Sequence, residues 1–110
     1  MGSGEKDQLL GSIDLLVLKA LEAGALHGYG IASRIHKVSD EALKVGEGSM
    51  YPALHRLAQD GHVKAEWRTS ETNRKARFYS LPAKGRRKLA AEEARWAKVM
   101  SAVGRFLKFA

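Results

Sequence analysis

Along the first third of the chain, apolar positions recur at helical spacing. Leu9, Ile13, Leu16, Val17, Ala20 and Leu21 make one stripe of a helix spanning Leu9 to Ala23, with Asp7 suited to its start and Gly24 to its stop. Leu10, Leu15 and Leu18 lie off that stripe. A helix apolar over most of its circumference needs cover on more than one side. In a small domain, this predicts that Leu10 and Leu18 meet another copy of the chain. His27-Gly28-Tyr29-Gly30 reads as a tight connection into a second helix, Tyr29 to about Val38. Ile31, Ile35 and Val38 are expected inward, and Ser33, Arg34, His36 and Lys37 outward. Ser39 to Val45 is a polar link with Leu43 as its anchor.

The stretch from Gly46 to Gly61 predicts a third helix with two unlike faces. Met50, Ala53, Leu54 and Leu57 fall on one side, and Pro52, His55, Arg56 and Gln59 on the other. Gly61 supplies the stop. After it the period changes to two. Val63, Ala65 and Trp67 alternate with Lys64, Glu66 and Arg68, and Arg77-Phe78-Tyr79-Ser80-Leu81 forms a second strand. The polar run Thr69 to Ala76 between them makes a β-hairpin with a basic tip.

Pro82 suits the first position of a last helix, with Gly85 tolerable early in it. Leu89, Trp96, Val103 and Ala110 are spaced as a heptad seam. So long a terminal helix has little left to pack on in its own subunit. Trp96, Val99, Met100, Val103, Phe106 and Leu107 are therefore expected at a two-fold dimer contact.

The expected fold is mainly α with a small β-hairpin. Residues 1–8 read as a flexible segment or tag remnant, 9–81 as a winged helix-turn-helix, and 82–110 as a C-terminal dimerisation helix. In this plan the third helix enters a DNA major groove, and the hairpin reaches the flanking backbone or minor groove.

Charge supports that partner. The 110 residues carry a formal net charge of +7, which favours a polyanion. Between Arg74 and Lys88 there are seven cations and no acid. Arg74, Lys75 and Arg77 are placed for phosphates, and Ser49, Tyr51, Pro52, His55 and Arg56 sit on or beside the reading face. Arg56 suits a guanine edge or a phosphate equally. Lys84, Arg86, Arg87 and Lys88 either continue the basic surface or form a solvated first turn that opposes the helix dipole.

Catalysis finds no constellation. Cysteine is absent, which removes disulfides, thiolate metal sites and thiol nucleophiles and fits a reducing cytoplasm. His27, His36, His55 and His62 have no metal-ligand spacing. Gly28-Tyr29-Gly30 is only a fragment of a nucleotide loop, Ser49 lacks the nucleophile-elbow pattern, and Glu92-Glu93 reads as a solvated charge pair. No enzyme, cofactor or metal is expected. No apolar run reaches the ~18 residues of a membrane span. Trp96 is read two ways, as core filling or as the wall of an inter-subunit cavity where a planar aromatic small molecule stacks.

Taken together, Leu15-Leu16-Val17-Leu18, Leu26-His27-Gly28-Tyr29-Gly30-Ile31 and Gly48-Ser49-Met50-Tyr51-Pro52-Ala53-Leu54-His55-Arg56-Leu57 resemble the PadR family of bacterial transcriptional regulators. Asp60-Gly61, Arg77-Phe78-Tyr79-Ser80-Leu81 and Gly85-Arg86-Arg87 extend the resemblance. It implies a homodimer of winged helices that represses at a two-fold symmetric operator and is released by a small molecule or cellular signal. It also implies DNA contacts at Ser49, Tyr51, Pro52, Arg74, Lys75 and Arg77, and places Trp96 near a drug pocket seen in some short members. Pro82 stands where the family commonly has a capping Thr, and the hairpin tip lacks the family's frequent Gly and Pro. Two other readings remain: a sequence-indifferent architectural DNA binder, and a ligand-binding or partner-docking module on the same scaffold.

Overall fold

The most apolar stretch of the chain ends at the centre of the molecule. A computed structural model describes residues 13–69 and 71–110. Asp7, Leu9 and the expected interface residue Leu10 lie outside them, as does Ser70 in the hairpin turn. Within the described residues the order is α1 (13–20), β1 (Leu26–His27), α2 (Gly28–Val38), α3 (Glu47–Gln59), β2 (Lys64–Thr69), β3 (Lys75–Ser80) and α4 (Ala83–Phe109). One core gathers Val17, Leu18 and Leu21 of α1 with Ile31 and Ile35, Met50, Leu54 and Leu57, Val63, Tyr79 and Leu89. Each fully buried leucine here contributes about 1.5–3 kcal/mol of transfer free energy.

Leu18 is a correction. It is 0% exposed within its own subunit, so it offers no surface to a second copy. At Leu18 the second apolar side of α1 is covered by the same chain, and Leu15 is partly buried against the same core.

His27 caps α2, its Nδ1 accepting from the Gly30 backbone N–H at 3.0 Å. The helix runs to Val38 as expected, but Val38 is 71% exposed rather than inward. The link that follows is tied back by the Ser39 hydroxyl, which donates to the His36 carbonyl and accepts from the Leu43 N–H. Asp40 and Glu41 take positive φ there. Leu43 stays exposed, and Val45 is the linker residue packed against the core.

In α3 all four residues expected to face inward, Met50, Ala53, Leu54 and Leu57, are buried. Gly61, at φ 77°, turns the chain out of the helix. Lys84 of α4 donates to the Asp60 carbonyl at 2.6 Å, capping the C-terminal end of α3. That is a structural use for one cation of the basic run; Lys88 has another, pairing with Glu92 at 3.4 Å.

The hairpin is real, and a third strand joins it. β1 pairs antiparallel with β3 through Leu26↔Tyr79 and His27↔Phe78, giving the order β1-β3-β2. A two-residue strand has no period to read. Asn73 turns the hairpin tip at φ 61°, a conformation that asparagine tolerates, so neither Gly nor Pro is required. Trp67 shares the alternation of Val63 and Ala65 but is 65% exposed, because the hairpin has by then run past the core.

α4 begins one residue later than expected, with Pro82 as its N-cap and no side-chain cap bond. Its seam divides. Leu89 belongs to the subunit core, Trp96 is half-buried, and Met100, Val103, Phe106, Leu107 and Phe109 are exposed.

Candidate nucleic-acid interface

The reading helix presents Pro52, His55 and Gln59 to solvent, with Tyr51 at its first turns 43% exposed. Tyr51 does not point away freely. Its ring lies against Gly28 at the start of α2, where an added Cβ would fall 2.8 Å from Cζ and 2.9 Å from Cε1. The missing side chain of Gly28 is what lets the tyrosine lie there.

Across from Tyr51 stands the hairpin, or wing. Between them runs an open groove of about 950 Å³, lined by Tyr51, His27, Tyr29, Phe78, Arg74, Lys75 and Arg77, with Glu71 at its tip. Three of the wing cations named from the sequence therefore share one groove with the start of the reading helix. Arg77 is cross-strand to Trp67, and its guanidinium sits 5.7 Å from the centre of that indole. Here the exposed Trp67 acts as a platform that holds a long cation in place, a contact worth about 0.5–1 kcal/mol at an exposed site.

Two residues of this surface escape a reading of the sequence. Tyr29 is 78% exposed on the groove edge. His27, read from the sequence as part of the tight connection into α2 and not as a surface residue, caps that helix and packs edge-on against Phe78, 5.3 Å between ring centres. A histidine two residues before an exposed tyrosine is the available signal, but the pairing of β1 with β3 is what brings both to the wing.

Ser49 and Arg56 stand apart from the groove. Ser49 borders a smaller recess with Ile13, Leu16 and Val45. The Arg56 guanidinium reaches back to α1, its Nη2 donating to Asp14 Oδ1 at 2.6 Å. Asp14 is the more enclosed partner, its side chain 17% exposed. Burial lifts its carboxyl above the ordinary 3.8, and the Arg56 charge and hydrogen bond only partly offset this.

A folded-state pKa raised in a carboxyl means that folding favours the protonated form. Asp14 thus contributes most below pH 3.8, and that contribution is lost as pH rises through the higher folded value. Thermal unfolding should show Asp14→Asn gaining on the parent protein between pH 4 and neutrality; a gap that narrows instead contradicts the assignment.

Glu92 corrects the expectation of a solvated pair. Its side chain is 13% exposed and bonded to Arg95 at 2.9 Å. Burial pushes its carboxyl up, but Arg95 and Lys88 outweigh this and hold it below the usual range. Glu93 bridges to Lys19 of α1 at 3.3 Å. Trp96 follows on the same helix. Arg95 lies 5.9 Å from its ring centre, and its indole N–H is buried with no hydrogen-bond partner among the described residues. Also among the described residues, no group of His, Asp and Glu could hold a metal ion, and no helix is long and apolar enough to cross a membrane.

Solved structures share this arrangement. A transcriptional regulator from Clostridium thermocellum superposes with a TM-score of 0.80 at 25% identity, covering 91% of this chain and 94% of its own. A PadR family transcription regulator from Clostridium difficile gives 0.74 at 27% identity, covering 88% and 99%. One from Eggerthella lenta gives 0.75 at 25%, covering 98% and 93%. The sequence model of the transcriptional regulator PadR-like family matches residues 17–91. The chain belongs to the PadR family of transcriptional regulators, and its work is DNA-binding control of transcription rather than catalysis.

Proposed function

We propose that this protein is a cytoplasmic homodimeric repressor that reads a two-fold symmetric operator and leaves it on a small-molecule or cellular signal. The observation that carries this reading is the groove in which Tyr51 of the reading helix faces Arg74, Lys75 and Arg77 of the wing. Helix α3 enters the major groove with Ser49, Pro52 and His55 near the bases. The wing cations take phosphates, and Tyr29 adds a contact to the sugar–phosphate chain. Two subunits joined through the exposed apolar end of α4 set their reading helices about one DNA turn, roughly 34 Å, apart. The indole of Trp96, whose N–H lacks a partner among the described residues, supports the signal being a planar aromatic molecule that stacks between the subunits.

The test is fluorescence anisotropy on duplex DNA at several salt concentrations. The parent protein should bind a selected palindromic duplex more tightly than random duplex, with a steep salt dependence. Equal affinity for both would favour the architectural reading, and absence of salt-dependent binding would favour a docking module. Replacing Arg74 and Lys75 together by Ala should weaken binding to every sequence and lower the salt slope by about 0.9 for each phosphate no longer neutralised. An unchanged slope would remove the wing from the interface.

Gly28→Ala probes Tyr51 without touching it. The added methyl displaces the far end of a flexible side chain and leaves the core alone, so the melting temperature should hold within a few degrees. DNA affinity should drop by about five- to tenfold, the equivalent of roughly 1–1.4 kcal/mol. Unchanged affinity would mean that the ring position is immaterial.

A further inference from the structure

We infer that Asp14 is a positioning residue for the reading helix: by holding Arg56 against α1, it fixes the rotation of α3 about its own axis. The inference rests on the DNA-reading function proposed above and adds to it a residue that touches no DNA. It also removes Arg56 from the set of base or phosphate contacts.

The apolar face of α3 is the starting point. Met50, Ala53, Leu54 and Leu57 seat the helix in the core, but apolar contact is non-directional. It sets depth better than roll. A roll of about 10° carries a side-chain tip ~6 Å from the axis by roughly 1 Å, enough to spoil a hydrogen bond to a base edge. An ion pair reaching out from the flank of α3 is directional. Arg56 leaves that flank beside the reading residue His55 and meets Asp14 at 2.6 Å, across 42 positions of sequence.

Energetics support a geometric role. Arg56 is half-exposed, and an ion pair of that kind adds little to stability. Burial keeps the Asp14 carboxyl raised even beside a guanidinium, so enclosing this charge works against the fold. A directional contact that adds little stability is suited to orientation, a use that ion pairs have in some proteins. Its surroundings say orientation relative to what. The charges of Lys88 and Glu92 on α4 also act on Asp14, and α4 is tied to α1 through Lys19–Glu93. Asp14 thus sits where α1, α3 and α4 converge, and the roll of α3 is referred to the helix expected to carry the subunit contact.

The experiment uses the full chain and two probes: a palindromic duplex selected by the parent protein from a random pool, and random duplex of equal length. Asp14→Asn keeps the shape and removes the charge. The expected result is at least a tenfold fall in the ratio of selected to random affinity, with random-duplex affinity and salt slope within twofold of the parent. Its melting temperature at neutral pH should be unchanged or higher. Asp14→Glu should restore the ratio to within about threefold. Selectivity that falls only together with the melting temperature would reduce Asp14 to a structural residue and overturn the inference. So would an unchanged ratio. Tighter binding by Asp14→Asn together with weaker binding by Arg56→Ala would show Arg56 to be a DNA contact restrained by Asp14, which also overturns it. A parent protein that binds neither duplex removes the DNA-reading function itself, and this inference with it; the other outcomes leave that function standing.

Discussion

Replacing Val103 and Phe106 by glutamate is expected to separate the proposed dimer into folded monomers whose affinity for the proposed operator is lower by at least two orders of magnitude. Both side chains lie on the part of α4 that has left the core, with exposures of 49% and 70%. Met100, Leu107 and Phe109 extend the same apolar surface. Burying each large side chain between subunits is worth about 1.5–3 kcal/mol. Two carboxylates placed in that contact replace the gain with a desolvation cost. The subunit itself should survive, because Leu89 and Gly85 hold the beginning of α4 and do not depend on its end.

The loss in DNA binding follows from linkage rather than from any DNA contact. A dimer that has placed one reading helix presents the second at high effective concentration, and such linkage typically adds 10²–10⁴ in affinity. Sedimentation equilibrium and anisotropy titration together provide the check. A variant that remains dimeric, or a monomer that binds as tightly as the parent, would rule out α4 as the subunit contact.

Gly85→Ala should be the most destabilising single methyl addition among the glycines of the described residues. A Cβ at this position would overlap the His62 carbonyl oxygen and lie 2.6 Å from Leu81 Cδ1. The obstructing oxygen belongs to backbone, and that backbone is anchored by the bond from the His62 N–H to the Leu57 carbonyl at 2.9 Å. Neither side has room to retreat. Overpacking of this kind costs about 1–3 kcal/mol and more where backbone must shift. At the upper end the melting temperature falls by roughly 12–20 °C for a domain of this size. Gly104→Ala is the contrasting case, with nothing within 4 Å of its added carbon. There the helix should gain about 0.5–1 kcal/mol. Thermal melts of the two variants, moving in opposite directions, test whether the close crossing of α4 over the turn at His62 is real. Equal and small shifts would show that α4 sits farther out.

That crossing shows where local pattern stops being informative. Gly85 is merely tolerable by its sequence neighbours, because nothing local requires it; the requirement comes from a carbonyl 23 positions earlier. The same holds for Arg56, which sits on the polar flank of its helix by every local criterion. Its partner Asp14 is 42 positions away and carries no mark of the pairing. Trp67 and Val38 keep the right period but run past the edge of the core, and period alone does not say where a core ends.

What the sequence determined by itself was the order of the helices, the β2–β3 hairpin and the inward face of α3. Those rest on short-range physics: a repeat of 3.6 or 2, glycines where φ turns positive, a proline ahead of α4. It also determined the family, through a block of adjacent residues around Tyr51. Only the tertiary structure decided that Leu18 of α1 is buried in its own subunit, that β1 completes the sheet and that Tyr51 shares a groove with the wing cations. It also decided that Asp14 holds Arg56. Each of these is a contact between segments far apart in the chain. Such contacts depend on which surfaces remain open once the core has closed, and no local pattern encodes that.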